Sequence, residues 1–225
     1  MNPRLRSSAA HVFVDSLSAP RLSNDDDHHL RRVLRIRNAD EITLGDGAGS
    51  WLAARLKPDG LSIESEPMFE PPPRPAAVVS AIPKGDRPEW IVQKLTEIGV
   101  TSIGFMDCAR SVVRWDAARA GRQIERMRRV AREAAMQSRR LWLPQVLDVM
   151  PFGEATTAPG CAIADPAGDP LADDVETVLV GPEGGLTEGE LNAVSTRVTL
   201  SRNVLRVETA ALAAAFLLTQ RHELS

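Results

Sequence analysis

The stretch "LVGPEGGLTEGE", residues 179–190, decides how this chain is read. Gly181, Pro182, Gly184 and Gly185 crowd together after the apolar run Thr177–Val180. Thr187 and Glu190, three residues apart, then fit a capping box, so a helix starts just past the glycines. The order is strand, glycine loop, helix, which is where open α/β sheets bind ligands. Glycine accepts positive φ and lets a ligand approach the backbone with no Cβ in the way. The spacing is not G-x-G-x-x-G, and no G-x-x-x-x-G-K-[ST] occurs anywhere in the chain. No lysine or arginine lies in the loop, and Glu183 adds a negative charge. Such a loop disfavours phosphates and tolerates a cationic or neutral ligand. On composition alone, a tight structural turn is the alternative.

A second stretch, "VTLSRNVLRVETAALAAA" at residues 198–215, repeats the pattern of strand, short loop and helix. The two loops lie near enough in sequence to converge on one site. The closing helix, about Val207 to His222, is apolar nearly all round, so it is buried against its own domain or a second subunit.

Upstream, strands and helices alternate. Ala76–Ile82 and Thr101–Met106 are strand candidates, as are Cys161–Ala164 and Thr177–Val180. Between the first two, Asp86 and Glu89 fit another capping box, and Pro88 sits in the first turn, where its missing N–H costs little. Ile91, Leu95 and Ile98 follow at helical spacing, and Gly99 stops the helix. A longer helix, about Asp116 to Ser138, carries Ile124, Met127, Ala131 and Ala134 on one face. Arg119, Arg122, Arg126 and Arg129 share another. Alternating β and α elements predict a mainly parallel sheet.

Residues 66–77, "EPMFEPPPRPAA", hold five prolines, which stiffen the backbone and exclude a helix or a central strand. They separate a first domain, residues 1–70, from a second, residues 74–225. The first reads as His11–Val14, a helix at Asp27–Val33, then Glu41–Leu44, Ser50–Leu56 and Leu61–Glu66. Turns at Gly45-Asp46-Gly47 and Lys57-Pro58-Asp59-Gly60 separate the last strands, a pattern that suggests a small β-barrel.

The chain has 225 residues, 43% of them hydrophobic, which is ample for a core. No apolar run is long enough to span a membrane. The first residues lack the apolar stretch of a secretory signal. Cys108 and Cys161 have no CxxC partner and read as small buried hydrophobes in a reducing cytosol. The histidines show no metal-ligand spacing, so no metal is expected. The net charge of −3 gives no overall nucleic-acid signal, yet arginines cluster at residues 28–37 and 110–140.

"LVGPEGGLTEGE" followed by "LSRNVLRVETA" resembles the RsmE family of 16S rRNA (uracil-N3)-methyltransferases of the SPOUT superfamily. The resemblance extends over nearly the whole chain. "HHLRRVLRIRNADEI" and "GDG" resemble that family's PUA-like domain; "KGDRPEWIVQKLTEIGV" and "QSRRLWLPQV" resemble stretches of its catalytic domain. The resemblance implies an α/β SPOUT domain with a C-terminal trefoil knot, a rare threading of the backbone. It also implies S-adenosylmethionine as cofactor, a cytoplasmic homodimer, and 16S rRNA in an assembled small subunit as substrate. Carried over, Val180, Gly181, Pro182, Glu183, Gly184 and Gly185 would wrap the cofactor with Leu200, Ser201, Asn203, Leu205 and Thr209. The chain departs from the family's usual L-G-x-R-I-L-R-x-E-T-A at Ser201 and Asn203, and from Glu-Gln at Met136-Gln137. Asn203 lacks the guanidinium usual there, which puts a contact at that position in doubt.

Uracil N3 attacks a methyl group only once its proton leaves, so an enzyme must aid deprotonation or stabilise the anion. Arg206 is the candidate for stabilising O2 or O4. Glu208 is the candidate for accepting the proton or holding Arg206. The plainer alternative for both is an ion pair at a helix start. Phosphate contacts are expected from Arg31, Arg32, Arg35 and Arg37 in the first domain. In the second they are expected from Arg110, Arg114, Arg122, Arg126, Arg129, Arg139 and Arg140. A solvated helix face is the alternative for the stripe, and packing is the alternative to base stacking for Trp142. Three rival functions stay open: a SPOUT enzyme for another RNA or a ribose 2′-hydroxyl, a catalytically silent RNA-binding protein, and a phosphate-binding enzyme on a doubly wound sheet.

Overall fold

The computed structural model describes residues 2–38, 40–58 and 60–220. Asp59, in the expected turn, and His222, at the expected end of the last helix, lie outside the described residues. The chain divides into two compact units, residues 1–73 with 132–143, and residues 74–131 with 144–225.

The first unit begins with helix α1 (Pro3–Ser7) and strand β1 (Ala10–Phe13). Helix α2 (Asn24–His28) runs straight into a π-helical turn (His29–Val33). The helix expected from Asp27 thus starts three residues earlier, because Ser23 caps it by accepting the Asp26 amide. Strands β2 (Glu41–Gly45), β3 (Ser50–Lys57), β4 (Gly60–Ile63) and β5 (Met68–Phe69) follow. The sheet runs β1-β2-β3-β4, and β5 pairs with the start of β3. Among the described residues of this sheet, only β1 and β2 pair in parallel.

Strand β3 is buried on both faces, and alternation explains why. Leu52, Ala54 and Leu56 pack with Val12, Leu30, Ile42 and Leu44 on one side. Trp51 points to the other and packs with Leu5 and Leu141. The segment that carries Leu141 is stitched in by backbone bonds. Gly49 N donates to Leu141 O at 3.1 Å, and Leu143 N donates to Gly47 O at 3.0 Å. Trp142 is packed: its Nε1 donates to Glu70 O at 3.1 Å, and its ring meets Phe69 edge-on.

The second unit is built on a seven-stranded sheet: β6 (Ala77–Ala81), β7 (Ser102–Asp107), β8 (Gln145–Val146), β9 (Met150–Pro151), β10 (Cys161–Asp169), β11 (Thr177–Val180) and β12 (Arg197–Val198). Its order is β12-β10-β11-β6-β7-β8, with β9 also on β7, and every pairing is parallel. The central strands are almost continuously buried, as parallel strands covered on both faces must be.

Helix α3 (Arg87–Ile98) buries Ile91, Val92 and Leu95 and ends at Gly99, whose φ is 114°. The capping box expected from Asp86 and Glu89 does not form. Asp86 sits at φ −91°, ψ 0°, outside the extended region from which a cap reaches back, and it makes no side-chain cap bond. Glu89 instead meets Arg126 at 2.9 Å. Helix α4 (Ala117–Gln137) buries Ile124, Met127, Ala131 and Ala134, the expected stripe. Short helices α5 (Phe152–Ala155) and α6 (Glu188–Asn192) precede α7 (Val207–Gln220).

The chain's course after β11 shapes the site. It leaves the sheet interior and passes through α6 to β12, outside β10. It then doubles back through residues 199–206 to α7, which packs on α3, β6 and β11.

Candidate functional site

The loops that follow the parallel strands β11 and β12 converge, beside β10, on one cavity of about 350 Å³. The loop after β11 contributes Gly181, Pro182, Glu183, Gly185 and Leu186, with Val180 at its root. The loop after β12 contributes Leu200, Ser201, Asn203, Val204 and Leu205. Strand β10 contributes Ala164, Asp165 and Pro166, and α7 contributes Val207 and Ala210. The volume falls at the lower end of the range for small-molecule sites.

Local chemistry holds each wall. Thr187 accepts the Glu190 amide, and the Glu190 carboxylate accepts the Thr187 amide, so the expected capping box is complete. The same carboxylate accepts the Ala109 amide at 2.7 Å. These hydrogen bonds and the Arg110 charge hold the Glu190 carboxyl below the usual range against the opposing effect of burial. Gly185 has φ 71°, a conformation that favours glycine. A Cβ on Gly181 would fall 2.9 Å from Leu186 Cγ, so only glycine lets Leu186 close that side. In the second loop, Ser201 Oγ accepts the Asn203 amide at 3.1 Å. Ser201 thus ties the loop from within.

The cavity wall carries two carboxylates, Asp165 and Glu183, and no lysine or arginine among the described residues. It suits a ligand that is neutral or cationic, and it offers no clamp for phosphates. The phosphate-binding rival loses its basis here.

Of the expected cofactor residues, the structure brings nine to the cavity: Val180, Gly181, Pro182, Glu183, Gly185, Leu200, Ser201, Asn203 and Leu205. Gly184 and Thr209 do not line it. Gly184 turns its carbonyl to Arg110 Nη1, 3.3 Å away. Thr209 is exposed on α7, on a different helix face from Val207 and Ala210. Sequence reasoning missed the β10 residues, which lie inside a strand that runs on to Asp169 and carry no local motif.

Arg206 is exposed directly after Leu205. Glu208 lies in the first turn of α7, its side chain 14% exposed, and Oε1 meets Arg87 Nη1 at 3.4 Å. Its Oε2 is buried with no hydrogen-bond partner among the described residues. The expected hold of Glu208 on Arg206 is therefore replaced by an ion pair with α3.

The arginines expected to meet phosphates divide. Arg32, Arg35, Arg37, Arg122 and Arg129 are exposed. Arg31 binds Asp27 and Lys57 O, both at 2.7 Å, and Arg126 binds Glu89. Arg110 reaches Gly184 O and also Leu186 O at 3.4 Å. Arg114 donates to Cys108 O at 3.1 Å. Arg139 donates to Ser8 O at 2.5 Å, and burial lowers the Arg140 pKa to about 10. Both help build the first unit. Burial raises the Cys108 thiol to about 12 and that of Cys161 to about 11, which disfavours the thiolate at both.

Residues 70–219 match the model of a family described as an RNA methyltransferase domain, and residues 22–64 match that of an RNA methyltransferase PUA domain. The chain belongs to the ribosomal RNA small subunit methyltransferase E family. It is 31% identical to the protein of that name from Bacillus subtilis (strain 168), covering 90% of each chain. It is 32% identical to the one from Mycobacterium tuberculosis (strain CDC 1551 / Oshkosh), covering 95% of this chain and 93% of the relative. A solved structure of the Neisseria gonorrhoeae family member bound to S-adenosyl methionine superposes with a TM-score of 0.79 at 26% identity, covering 95% of this chain and 97% of that one. The second unit thus has the SPOUT architecture and the first the PUA-like fold of this family.

Proposed function

We propose that this chain methylates N3 of a uridine in small-subunit ribosomal RNA with S-adenosylmethionine as donor. The observation that carries the reading is the cavity between two neighbouring loops and β10, acidic and without a phosphate clamp. Its residues fit the cofactor. The two loops line it with Val180, Gly181, Pro182, Glu183, Gly185, Leu200, Ser201, Asn203 and Leu205, so main chain can meet an adenine edge, and Asp165 and Glu183 favour a positive charge.

Bound S-adenosylmethionine supplies an electrophilic methyl group on a positively charged sulfur. The chain's own residues do the rest. Leu186, Leu200 and Leu205 give the cavity an apolar lining against which the bound methyl donor would be shielded from water. Arg206 stands at the end of the second loop, where its guanidinium can stabilise charge building on uracil O2 or O4 as N3 gives its proton to solvent. Glu208 supports that loop's exit through Arg87 rather than through Arg206. Arg32, Arg35, Arg37, Arg122 and Arg129 neutralise rRNA phosphates from exposed positions. The domain assignment follows the same division of labour, with residues 1–70 docking RNA and 74–225 carrying the reaction, except that residues 132–143 are lent back to the first unit.

A homodimer fits α7. Phe216 is 55% exposed, and Leu212, Ala213 and Leu217 are only half-buried, so this helix keeps an apolar face open to a second copy. No helix among the described residues is long and apolar enough to cross a membrane; the reaction is placed, as part of the proposal, in the cytoplasm on assembled subunits.

The test is methyl transfer from labelled S-adenosylmethionine to small subunits from a strain lacking this gene, with nucleoside analysis of the product. N3-methyluridine at one position supports the reading; a 2′-O-methyl product or none overturns it.

A further inference from the structure

A second cavity belongs wholly to the first unit. It encloses about 750 Å³ between the strap at residues 19–22, helix α2 with its π-turn, and strand β4. Three features of its wall bear on what it holds.

The first is charge. Arg21, His28, Arg31 and Arg32 face it, against Asp27. Arg31 already matches Asp27 at 2.7 Å and is fixed further by Lys57 O. Arg21 and Arg32, both exposed, leave the cavity cationic. The second is an apolar floor. Leu22, Leu61 and Ile63 line it, and Ile63 stays 46% exposed although it sits in a strand.

The third is an open sheet edge. β4 ends the sheet among the described residues. Glu64 N donates to Ala53 O at 2.8 Å, and Lys57 pairs with Gly60 across the hairpin. Antiparallel pairing then turns Gly60, Ser62 and Glu64 toward β3, and directs the peptide groups of Leu61 and Ile63 outward. Donors and acceptors thus stand at the rim of an apolar, cationic hollow.

We infer that this cavity binds an unpaired nucleotide of the rRNA substrate, a conclusion that rests on the proposed function for the identity of the RNA. Arg21 and Arg32 hold the phosphates, Leu61 and Ile63 pack against the base, and the edge of β4 reads its hydrogen-bonding groups. Paired bases cannot enter: proteins read double-stranded RNA by shape and backbone, whereas splayed-out bases fill concave sites. A peptide strand added to β4 would use the outward peptide groups but leave the two arginines unmatched, so charge favours the nucleic acid.

The test uses the full-length protein and two probes, a fluorescein-labelled unstructured 12-nucleotide RNA and a duplex of the same length. The single strand should bind several-fold tighter than the duplex. Arg21→Ala should weaken it several-fold and lower the salt slope by about one, the sign of a lost phosphate contact. Ile63→Ser, which keeps every charge, should weaken it with the slope unchanged. Equal binding of duplex and single strand, or indifference to Ile63→Ser, would reduce the cavity to a plain basic surface and overturn the inference. So would unaltered RNA affinity in both variants with lost binding to small subunits, which would assign the edge to a protein strand. RNA binding is read without methyl transfer. A wild-type protein that takes the single strand but makes no methylated uridine would therefore refute the reaction and leave this site standing.

Discussion

Arg110 Nη1 lies 3.3 Å from the Gly184 carbonyl and 3.4 Å from that of Leu186, so one guanidinium bridges the loop that walls the donor cavity. Its place in a basic run suggested phosphate contact; its geometry makes it a brace. Arg110→Ala should weaken S-adenosylmethionine binding about fivefold, the scale of one exposed charge-assisted hydrogen bond. The salt slope of rRNA binding should not change. Calorimetric titration of the cofactor and salt-dependent RNA binding separate the two roles: a lower slope with unaltered cofactor affinity would restore the phosphate reading.

Gly181 and Gly185 should fail differently. At Gly181 an added methyl meets Leu186 Cγ at 2.9 Å, so Gly181→Ala must displace a cavity residue. We expect about tenfold weaker cofactor binding, from an overpacking cost of ~1–3 kcal/mol. At Gly185 no atom lies within 4 Å of the added methyl, and the penalty comes only from φ 71°. Gly185→Asn should therefore be milder than Gly185→Ala, and Gly185→Val worst, because asparagine tolerates the left-handed region best. Equal effects of Asn and Val would disprove the conformational account.

Arg87 and Glu208 should be energetically coupled. Glu208 is mostly buried and Arg87 is more than a third exposed, so the pair is worth only about 0.5–1 kcal/mol. A double-mutant cycle of Arg87→Ala and Glu208→Gln by urea unfolding measures it. If Glu208 were the proton acceptor, Glu208→Gln would lower kcat by about 100-fold or more while Arg87→Ala would not. We expect instead that both variants keep most of kcat, and that Arg206→Ala abolishes transfer with cofactor binding retained.

His11 makes stability depend on pH. Burial, then the charge of Arg139, depress its pKa from 6.5 to about 4, despite an opposing hydrogen bond with the Arg140 backbone. Between those values the unfolded chain holds the proton and the folded one does not, so stability is full above about 6.5 and falls as pH drops toward 4. The full loss is on the order of 3 kcal/mol. Urea midpoints at pH 7.5 and 4.5 should differ in the wild type and converge in His11→Asn, where the titrating group is gone. An undiminished difference in the variant would assign the effect to other groups.

Periodicity carried most of the second unit. Val78, Ile103 and Val178 occupy buried runs whose length and apolar character fit parallel strands, and Ile124, Met127 and Ala131 keep their face through α4. The donor cavity was legible where glycines and a capping box signal their own backbone geometry, as at Gly185 and Thr187. What escaped were relations set by tertiary contact. Asp86 and Glu89 have capping spacing, but Arg126 draws Glu89 away. Arg110 and Arg139 look like surface cations in one dimension, and only the fold turns them onto carbonyls. Strand β10 brings Ala164 and Asp165 to the site with no local motif at all.

Leu141, from a segment far along the chain, packs against Trp51, and Gly47 and Gly49 bond to its neighbourhood. On the ribosome, then, the amino-terminal unit cannot mature when its own 73 residues have emerged. The nascent polypeptide must keep the Trp51 side uncovered until residue 143 is synthesised, so the unit made first is not the unit finished first, contrary to the usual order of domain folding during translation.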